Sequence, residues 1–382
     1  GLRDTLKHHE VLPARPPIHA PSGGVGLAAV APVLERRGIE ALYSHQTRAL
    51  ELLGKGRDVV LATPTASGKS LVYNLPALAA ALEDPEARAL YLFPLRALEQ
   101  DQQRKLQEDI EALGRGPDHL GTEEIQVAVY DGDTPTARRK KLREDPPNVL
   151  ITTPDMLHLG ILPGHESWKR FFAGLRLVVI DELHTYRGVF GSHVAQVMRR
   201  LDRIAREHGG APRFIATSAT VANPAELAGQ LVGRDFAVVC EDGAPRTRRH
   251  VLLMNPTGSP YTAAARLFRL AVSRGLRTIA FTKARSVTEL MYQWIVEAEP
   301  ELRTRISAYR AGFLPEERRE IEDRLFRGDL LGVISTSALE MGIDVGHLDV
   351  CILVGYPGSQ IATWQRGGRV GRTREAVIAL VA

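Results

Sequence analysis

The sequence predicts an α/β protein of two tandem domains, each a parallel β-sheet covered by helices on both faces. Short apolar runs rich in Val, Ile and Leu alternate with helical patterns in both halves of the chain. These runs are continuous rather than interrupted by polar residues, which is typical of strands buried on both faces. A length of 382 residues, with 44% hydrophobic and 25% charged residues, suits two globular domains.

The first predicted domain covers residues 41–240 and follows a lead-in segment at residues 1–40. Helical patterns at 201–208 and 225–232 lie between its apolar runs. Each run is short and rich in β-branched residues, so each is predicted to be a strand. The predicted strands are 59–61, 90–93, 125–129, 149–151, 177–180, 214–216 and 236–240.

A proline- and glycine-rich stretch at 241–260, which also carries Arg246, Arg248 and Arg249, is predicted to connect the domains. The second predicted domain covers residues 261–382 and repeats the alternation of strands and helices. Its predicted helices are 261–274, 285–298 and 315–327, and its predicted strands are 278–281, 303–309, 332–335, 350–354 and 377–381.

Composition excludes some classes of protein but does not identify a partner. The net charge is only +4, because 49 basic residues nearly cancel 45 acidic ones, so charge alone does not indicate nucleic acid. No apolar run reaches the length of about 18 residues that a membrane span needs. Cys240 and Cys351 lie in apolar strand-like segments and are predicted to be buried reduced thiols of a cytoplasmic protein. The chain starts at Gly1 and ends within the predicted strand 377–381, so we expect it to be an excerpt of a longer chain.

A loop that can hold phosphate groups is indicated at residues 62–70, which read Ala-Thr-Pro-Thr-Ala-Ser-Gly-Lys-Ser. It follows a predicted strand and precedes a helical pattern, so backbone N–H groups would face a polyphosphate. The Lys69 ammonium would bind the terminal phosphates and the Ser70 hydroxyl would bind Mg²⁺. A chance Gly-Lys-Ser turn is the alternative, since Ala62 replaces the usual first glycine. The predicted nucleotide contacts in this loop are Thr63, Thr65, Ala66, Ser67, Gly68, Lys69 and Ser70.

An acidic pair, Asp181 and Glu182, directly follows the predicted strand 177–180. Asp181 is predicted to hold Mg²⁺ through its water shell, and Glu182 is predicted to polarise an attacking water. An acidic pair after a strand more often caps the next helix. Because the pair and the phosphate loop occur in the right order, each at the C-terminal end of a predicted strand, the sequence predicts hydrolysis of a polyphosphate.

A basic, glycine-rich string at 365–372 reads Gln-Arg-Gly-Gly-Arg-Val-Gly-Arg. Arg369 and Arg372 stand three residues apart, which on one helical turn places both guanidinium groups on the same face. Arginines presented in this way stabilise charge on a transferring phosphoryl group. A flexible basic loop that binds any polyanion is the alternative.

The ordered motifs resemble those of superfamily 2 helicases, whose two domains are RecA-like. Besides the three strings above, the resemblance rests on Tyr-Ser-His-Gln at 43–46, Ser-Ala-Thr at 218–220 and Ser-Thr-Ser-Ala-Leu-Glu-Met-Gly-Ile-Asp at 335–344. The resemblance implies ATP with Mg²⁺ as cofactors, adenine recognition by Gln46 and a ribose contact by Asp344.

The same resemblance also assigns roles to residues outside the nucleotide loop. It implies that Arg369 and Arg372 are arginine fingers, and that Ser218 and Thr220 couple hydrolysis to domain movement. From the residues alone, Ser-Ala-Thr is a plain polar turn after a strand.

Within the superfamily, the chain is similar to the bacterial DExH helicases of the mitomycin-repair type, the YprA family. The stretches that carry this closer resemblance are 93–98, 131–135, 181–193, 355–358 and 364–365. It implies a 3′–5′ DNA helicase or translocase in DNA repair, and a hydrogen bond between His184 and Gln365 that senses closure of the cleft between the domains. That family continues into a domain with a cysteine cluster for zinc, so zinc is expected only beyond this chain.

Candidate nucleic-acid contacts follow predicted strands, because open α/β sheets bind ligands at the C-terminal ends of their strands. Ordinary turn and cap chemistry is the alternative for each candidate. The family resemblance implies that the partner is single-stranded DNA, presented by a 3′-tailed duplex, and that the protein is a monomer. The candidates are Arg96, Thr153, Asp155, Thr282, Lys283 and Thr336.

Three other functions stay open on the sequence alone. An RNA helicase or remodeller would share the ATP machinery, although His184 stands where the RNA-acting Asp-Glu-Ala-Asp family has aspartate. A nucleic-acid-stimulated ATP switch would close on a strand without stepping, and unwinding would then need a missing C-terminal domain. An ATPase without a nucleic-acid partner would hydrolyse ATP at a rate that added polynucleotide does not change.

Overall fold

The computed structural model describes residues 2–21, 26–115, 124–310, 312–340 and 346–382, and the chain separates into two compact units. The unit Ile18–Ala244 is termed the N-domain, and the unit that combines Gly1–Pro17 with Pro245–Ala382 is termed the C-domain. The chain enters through the C-domain, with helix α1 (Leu2–Thr5) and strand β1 (Leu6–Leu12). No helix in the described ranges combines the length and the apolar character needed to cross a membrane.

The N-domain contains a seven-stranded sheet in the order β4-β5-β3-β6-β7-β2-β8, and its strands pair in parallel. Parallel pairing places the C-terminal ends of neighbouring strands at one edge of the sheet. The strands are β2 (Asp58–Ala62), β3 (Arg88–Leu92), β4 (Val127–Tyr130), β5 (Val149–Thr152), β6 (Leu175–Ile180), β7 (Arg213–Ser218) and β8 (Phe236–Val239).

Helices connect these strands, as parallel pairing requires. They are α2 (Ala31–Arg36), α3 (Ser44–Gly54), α4 (Ser70–Glu83), α5 (Arg96–Ala112), α6 (Thr136–Glu144), α7 (Pro154–Met156), α8 (Lys169–Ala173), α9 (Gly188–Glu207) and α10 (Pro224–Val232). Shorter 3₁₀ turns occupy Ala28–Val30, Leu162–Trp168 and Leu183–Thr185, and a π-helix occupies Leu157–Ile161.

The N-domain core has two layers, one on each face of the sheet. Alternate residues of a strand point to opposite faces. In β3, Leu90 belongs to one buried cluster and Tyr91 to the other, and in β6 the same holds for Val178 and Val179. Continuous apolar runs are therefore strands covered on both faces, as predicted.

The C-domain also contains a seven-stranded sheet, in the order β1-β9-β14-β13-β10-β12-β11. Its strands pair in parallel except that β1 pairs antiparallel with β9. The strands after β1 are β9 (Arg249–Met254), β10 (Thr278–Phe281), β11 (Ile306–Tyr309), β12 (Gly332–Ser335), β13 (Val350–Val354) and β14 (Ala376–Val381). The helices are α11 (Pro260–Val272), α12 (Arg285–Ala298), α13 (Pro315–Arg327) and α14 (Gln360–Gly367), with 3₁₀ turns at Pro300–Thr304 and Ser337–Leu339.

The division of the chain differs from the predicted one at two places. The predicted lead-in 1–40 is split between the domains, since Gly1–Pro17 belongs to the C-domain. The predicted connector 241–260 contains β9, which pairs along its whole length with both β14 and β1. The sequence of β9 contains the apolar run 251–254, but the prolines, glycines and arginines around that run favoured a connector.

The two cysteines are unpaired thiols, but only one is buried. Cys351 lies inside β13, and burial raises the pKa of its thiol. Cys240 is exposed, so the prediction of a buried thiol is wrong at this position. The reason is that Cys240 lies just beyond the end of β8, the edge strand of its sheet.

Gly191 in the first turns of α9 sets how closely this helix approaches the preceding loop. A Cβ atom at Gly191 would lie 2.6 Å from the carbonyl carbon of Tyr186, which is backbone and cannot move aside. We expect Gly191→Ala to lower the free energy of unfolding of the N-domain by about 1–3 kcal/mol, measured by urea denaturation. The control is Gly54→Ala, where an added Cβ meets no atom within 4 Å. Equal stability of the two variants would contradict the prediction.

Candidate functional site

The loop predicted to hold phosphate connects β2 to α4 at the C-terminal edge of the N-domain sheet. Ala62 ends the fully buried strand β2 and Ser70 begins α4. Between them the backbone turns through positive φ at Ala66 (62°) and Gly68 (76°). A positive φ is uncommon for a residue with a side chain, so the loop holds Ala66 in a strained conformation that curls the backbone ahead of the helix.

Lys69 is half-buried, and its ammonium bonds to the loop itself. Its ammonium donates hydrogen bonds to the carbonyl oxygens of Thr63 and Pro64, each at 2.9 Å. The Thr63 and Ser67 hydroxyls are 2.7 Å apart and close the base of the loop. Burial lowers the pKa of Lys69, and Glu182 and Asp181 oppose that change by attraction. The loop therefore concentrates positive charge next to backbone N–H groups, which is what a polyphosphate requires.

Gln46, predicted to recognise adenine, braces the same loop. Its Oε1 accepts a hydrogen bond from the Tyr43 backbone N–H, and its Nε2 donates to the Gly68 carbonyl, both at 2.9 Å. The first bond caps α3 and the second ties that helix to the loop. A substitution at Gln46 would therefore also disturb the phosphate loop.

His45 is a residue of this site that the motif pattern did not single out. Its ring is buried, with Nε2 at 2.9 Å from the Ser67 carbonyl and Nδ1 accepting from the Gly243 backbone N–H at 3.0 Å. Nε2 must therefore carry the proton and donate to Ser67. His45 thus joins the phosphate loop to residue 243, which lies near the C-terminal end of the N-domain. No sequence signal distinguishes this buried histidine from an exposed one.

The acidic pair lies at the end of β6, next to the strands that carry the loop and Ser218. Asp181 is buried and accepts a hydrogen bond from the Thr217 hydroxyl. Burial, followed by repulsion from Glu182, raises the pKa of Asp181 to about 6. Glu182 adopts a left-handed conformation, with φ 50° and ψ 46°, at the point where the chain turns from strand into the 3₁₀ turn. Two carboxylates and one ammonium thus share a water-poor edge of the sheet.

His184 connects the acidic pair to the turn after β7. Its Nδ1 lies 3.4 Å from the Glu182 carboxylate, 3.3 Å from the Ser218 hydroxyl and 3.4 Å from the Ala219 N–H. The structure therefore brings together two of the predicted coupling residues, His184 and Ser218. Thr220 is exposed.

In the C-domain, the two candidate finger arginines do not share a helical turn. Helix α14 ends at Gly367, and Gly371 has a φ of 72°, so the backbone reverses between Arg369 and Arg372. The expectation that both side chains lie on one helical face is wrong, because glycines at 367, 368 and 371 end the helix. The guanidinium of Arg369 donates to the Glu340 carbonyl oxygen through Nε at 3.2 Å and Nη2 at 2.5 Å.

Glu340 and Arg366 form a nearly buried ion pair that the sequence did not reveal. Arg366 Nε and Nη2 donate to the same Glu340 carboxylate oxygen at 2.9 and 2.8 Å, and their side chains are 10% and 12% exposed. The Arg366 guanidinium also lies 5.5 Å from the centre of the Phe281 ring. Glu340 therefore holds Arg366 through its carboxylate and Arg369 through its backbone carbonyl. Asp344, the predicted ribose contact, lies outside the described residues.

Candidate nucleic-acid contacts in the N-domain lie at the same sheet edge as the acidic pair. Arg96 begins α5 after β3, is largely exposed, and pairs with Asp133 at 2.8 Å. Thr153 follows β5 and caps α7, its hydroxyl accepting from the Met156 N–H at 3.3 Å. Asp155 is exposed in that short helix. The alternative of cap chemistry therefore applies to Thr153.

Two of the three candidate contacts in the C-domain, Thr282 and Lys283, line a surface cavity of about 270 Å³. Lys283 is exposed at its edge, whereas Thr282 is buried with its hydroxyl 2.7 Å from that of Thr288. The Thr336 hydroxyl accepts from the Ala338 N–H at 3.5 Å and caps a 3₁₀ turn. The cavity is lined by Thr282, Lys283, Ser337, Tyr356, Pro357, Gly358 and Arg366.

Two family profiles match the chain in order. The DEAD/DEAH box helicase family matches residues 43–227, within the N-domain. The helicase conserved C-terminal domain matches residues 262–374, within the C-domain.

Two curated relatives are similar along nearly the whole chain, although the chain spans less than half of either relative. The chain is 48% identical over 361 residues to the uncharacterized ATP-dependent helicase YprA of Bacillus subtilis, covering 91% of this chain and 47% of the relative. It is 37% identical over 394 residues to the ATP-dependent helicase HRQ1 of Saccharomyces cerevisiae, covering 98% of this chain and 36% of the relative.

Solved structures match the fold with high similarity. The DUF1998 helicase MrfA bound to DNA and AMPPNP gives a TM-score of 0.92 at 44% identity, covering 99% of this chain and 53% of that one. The Mycobacterium smegmatis helicase Lhr bound to ssDNA and AMP-PNP gives 0.77 at 28% identity, covering 94% and 48%. The DEAD-box helicase Mss116, at 17% identity and a TM-score of 0.76, shares the fold alone. These matches confirm the predicted architecture of two RecA-like domains.

The raised pKa of Asp181 predicts that this residue destabilises the protein at neutral pH. The folded chain keeps a proton on Asp181 up to about pH 6, whereas the unfolded chain releases it near 3.8, so ionisation removes stability as pH rises between these values. We expect Asp181→Asn to raise the melting temperature at pH 7 and to have little effect at about pH 4. The asparagine retains an oxygen that can accept from Thr217.

The matched control for Asp181→Asn is Asp58→Asn in the same domain. Asp58 is buried but paired, accepting from the Phe214 N–H at 2.8 Å and lying 3.2 Å from Arg234. We expect Asp58→Asn to lower the melting temperature at pH 7. Destabilisation by Asp181→Asn at pH 7 would contradict the prediction.

The Glu340–Arg366 pair predicts that a single substitution destabilises the C-domain more than the double substitution does. Glu340→Gln leaves the buried Arg366 charge without its partner, which typically costs about 3–5 kcal/mol. We expect this loss in urea denaturation of the C-domain, followed by Trp364 fluorescence. The double variant Glu340→Gln with Arg366→Gln removes both charges and should be more stable than Glu340→Gln alone. A double variant less stable than the single would show that the ion pair is not the cause.

Proposed function

The chain belongs to the superfamily 2 DExH-box helicases, and on that premise we propose that it hydrolyses ATP to drive 3′–5′ movement along single-stranded DNA in DNA repair. The observation that carries the proposal is the convergence of Lys69, Asp181 and Glu182 at one edge of the N-domain sheet. Similarity to MrfA, whose solved structure contains DNA and AMPPNP, supports DNA as the polymer. The resemblance to the mitomycin-repair family supports the direction of movement and the repair role.

The donor set of the N-domain fits a nucleoside triphosphate with Mg²⁺. In this proposal Lys69 and the backbone N–H groups of residues 66–70 bind phosphate oxygens, which the curled loop before α4 supports. The Ser70 hydroxyl and the Asp181 carboxylate are hard oxygen ligands, which Mg²⁺ prefers. Burial and repulsion from Glu182 disfavour the charged form of Asp181, and a divalent cation bound there would stabilise that form. When bound, Mg²⁺ neutralises charge on the phosphate oxygens.

Glu182 is the proposed base that orients the attacking water. Its backbone is left-handed, and its carboxylate lies 3.4 Å from His184. His184 also lies 3.3 Å from the Ser218 hydroxyl at the end of β7. A change in charge at Glu182 would therefore alter the contact between His184 and Ser218. We propose that Ser218 and Thr220 convey this change to the domain movement, and that Gln365 bonds to His184 on closure.

The C-domain supplies the proposed fingers. Arg369 and Arg372 would stabilise charge on the γ-phosphoryl group during transfer. Glu340 holds the Arg369 guanidinium through its carbonyl, which keeps the side chain ordered before it acts. Gln46 recognises adenine and Asp344 contacts the ribose in this proposal, both by similarity to the superfamily.

The proposed grip on DNA uses exposed residues at the strand ends of each domain. Arg96 and Lys283 are the exposed cations suited to phosphate, with Thr153, Asp155 and Thr336 as polar neighbours. Thr282 is the least accessible candidate, since its side chain is buried and its N–H donates to the Ser335 carbonyl. Tyr356 is 47% exposed beside Lys283 and offers a ring on which a base can stack. We propose a monomeric, cytoplasmic protein that loads on the single strand of a 3′-tailed duplex.

Steady-state ATP hydrolysis at fixed salt tests the proposal, with no polynucleotide, single-stranded DNA, duplex DNA or single-stranded RNA. We expect single-stranded DNA to stimulate kcat and Glu182→Gln to lower the stimulated kcat by at least about 10²-fold, the effect of losing a general base. Glu226→Gln is the matched control, since Glu226 is exposed on α10 and contacts Asn223 and Gln230. Unwinding of 3′-tailed but not 5′-tailed duplexes would support the direction.

Each other outcome overturns a separate part of the proposal. Stimulation by RNA but not by DNA would overturn the assignment of DNA as the polymer. If no polynucleotide changed the rate of ATP hydrolysis, the proposed movement along DNA would be overturned and the proposed ATPase activity would stand. Undiminished turnover in Glu182→Gln would overturn the assignment of the base.

A further inference from the structure

A cluster of two histidines and one glutamate lies in the N-domain away from the nucleotide loop. His165 and Glu166 belong to the 3₁₀ turn Leu162–Trp168, and His208 directly follows the end of α9. The His165 Nδ1 and His208 Nε2 atoms are 2.9 Å apart, and the Glu166 Oε1 atom lies 3.8 Å from His165 Nδ1. One ligand atom from each of the three residues lies within 4.8 Å of the others. From this geometry we propose that His165, Glu166 and His208 bind a divalent transition-metal ion of the zinc type.

The chemistry of the donors selects this class of ion. Two imidazole nitrogens and one carboxylate oxygen suit Zn²⁺, whereas Mg²⁺ prefers oxygen ligands alone. With metal–nitrogen bonds of about 2.0–2.1 Å, two nitrogens 2.9 Å apart subtend an angle of about 90° at the metal, which needs only slight opening for a tetrahedral site. The Glu166 side chain is 77% exposed, so it can rotate toward the ion. A fourth position would be left for water.

The surroundings of His208 favour a cation. Helix α9 has 20 residues, and its C-terminal end carries the negative end of the helix dipole. The His208 ring packs flat against Phe172, with ring centres 5.9 Å apart and an angle of 15°. This packing holds the ring so that Nε2 points at His165. An imidazole fixed in this way is a preorganised ligand.

A metal here would tie down an irregular segment of the chain. The chain from 157 to 168 forms a π-helix followed by a 3₁₀ turn, with a kink at Gly164 (φ −105°, ψ 31°). Such turns have weaker backbone hydrogen bonds than an α-helix. A metal bridge from 165 and 166 to 208 would fasten this segment to α9. The segment directly follows Thr153 and Asp155, two candidate nucleic-acid contacts. A more rigid segment would therefore hold these two residues more firmly.

A plain hydrogen bond between the two imidazoles is the competing explanation of the 2.9 Å contact, and zinc titration separates the two. Protein stripped with a chelator is titrated with ZnCl₂ by calorimetry, and its melting temperature is measured with and without Zn²⁺. We expect one equivalent to bind, with a rise in melting temperature. Binding should weaken at pH 5, because the imidazoles must lose their protons to bind.

Three variants at the cluster and two elsewhere decide the assignment. We expect at least a tenfold weaker zinc affinity in His165→Asn and in His208→Asn, and a smaller loss in Glu166→Gln. Because the Glu166 side chain is 77% exposed, a loss in Glu166→Gln reports on the ligand rather than on folding. His193→Asn on the exposed face of α9 should bind as the parent does. So should His9→Asn, which breaks a second imidazole pair formed with His250.

The readout is zinc binding rather than ATP turnover, so the outcome is independent of the proposed motor. Absence of binding, or equal affinity in His165→Asn, His208→Asn and the parent, would overturn the proposal and leave the hydrogen bond as the full account. Loss of binding in His9→Asn alone would assign the zinc to the other pair and overturn it as well.

Discussion

The ammonium of the half-buried Lys69 makes the interactions on which the N-domain site depends. A cation taken out of water needs compensation, and Lys69 finds it in two backbone carbonyls and in attraction to Asp181 and Glu182. The carbonyls hold the loop curled, and the carboxylates lie at the end of β6. One charge thus links the strand β2, the helix α4 and the acidic pair.

The parallel sheet makes that link possible. In the order β6-β7-β2, the phosphate loop, the Asp181 turn and Ser218 emerge from three neighbouring strands at one edge. The C-domain has the same kind of sheet, but its described residues include no phosphate loop. Its polar centre is Glu340, which binds two arginines with two different groups. The two domains therefore supply complementary chemistry, anion binding in one and ordered arginines in the other.

Sequence patterns predicted best the elements whose burial gives a local or periodic pattern of apolar residues. The runs 59–61 and 177–180 were recognisable as strands because residues buried on both faces are all apolar. The pattern was uninformative for β1, whose side chains are largely exposed and which pairs with the distant strand β9. In β9, the apolar run 251–254 was outweighed by the prolines and glycines around it. It also misled at Arg369 and Arg372, because spacing alone does not show where glycines end a helix.

The sequence by itself determined the fold class and the order of the motifs, and it predicted the chemistry of the loop and acidic pair, since these depend on residue type and position relative to strand ends. Only the tertiary structure decided which side chains meet. The contacts of His45 with Ser67, of His184 with Ser218, of Glu340 with Arg366 and of His165 with His208 join residues 22 to 43 positions apart. Such pairs leave no local pattern, because their proximity is a property of packing between elements.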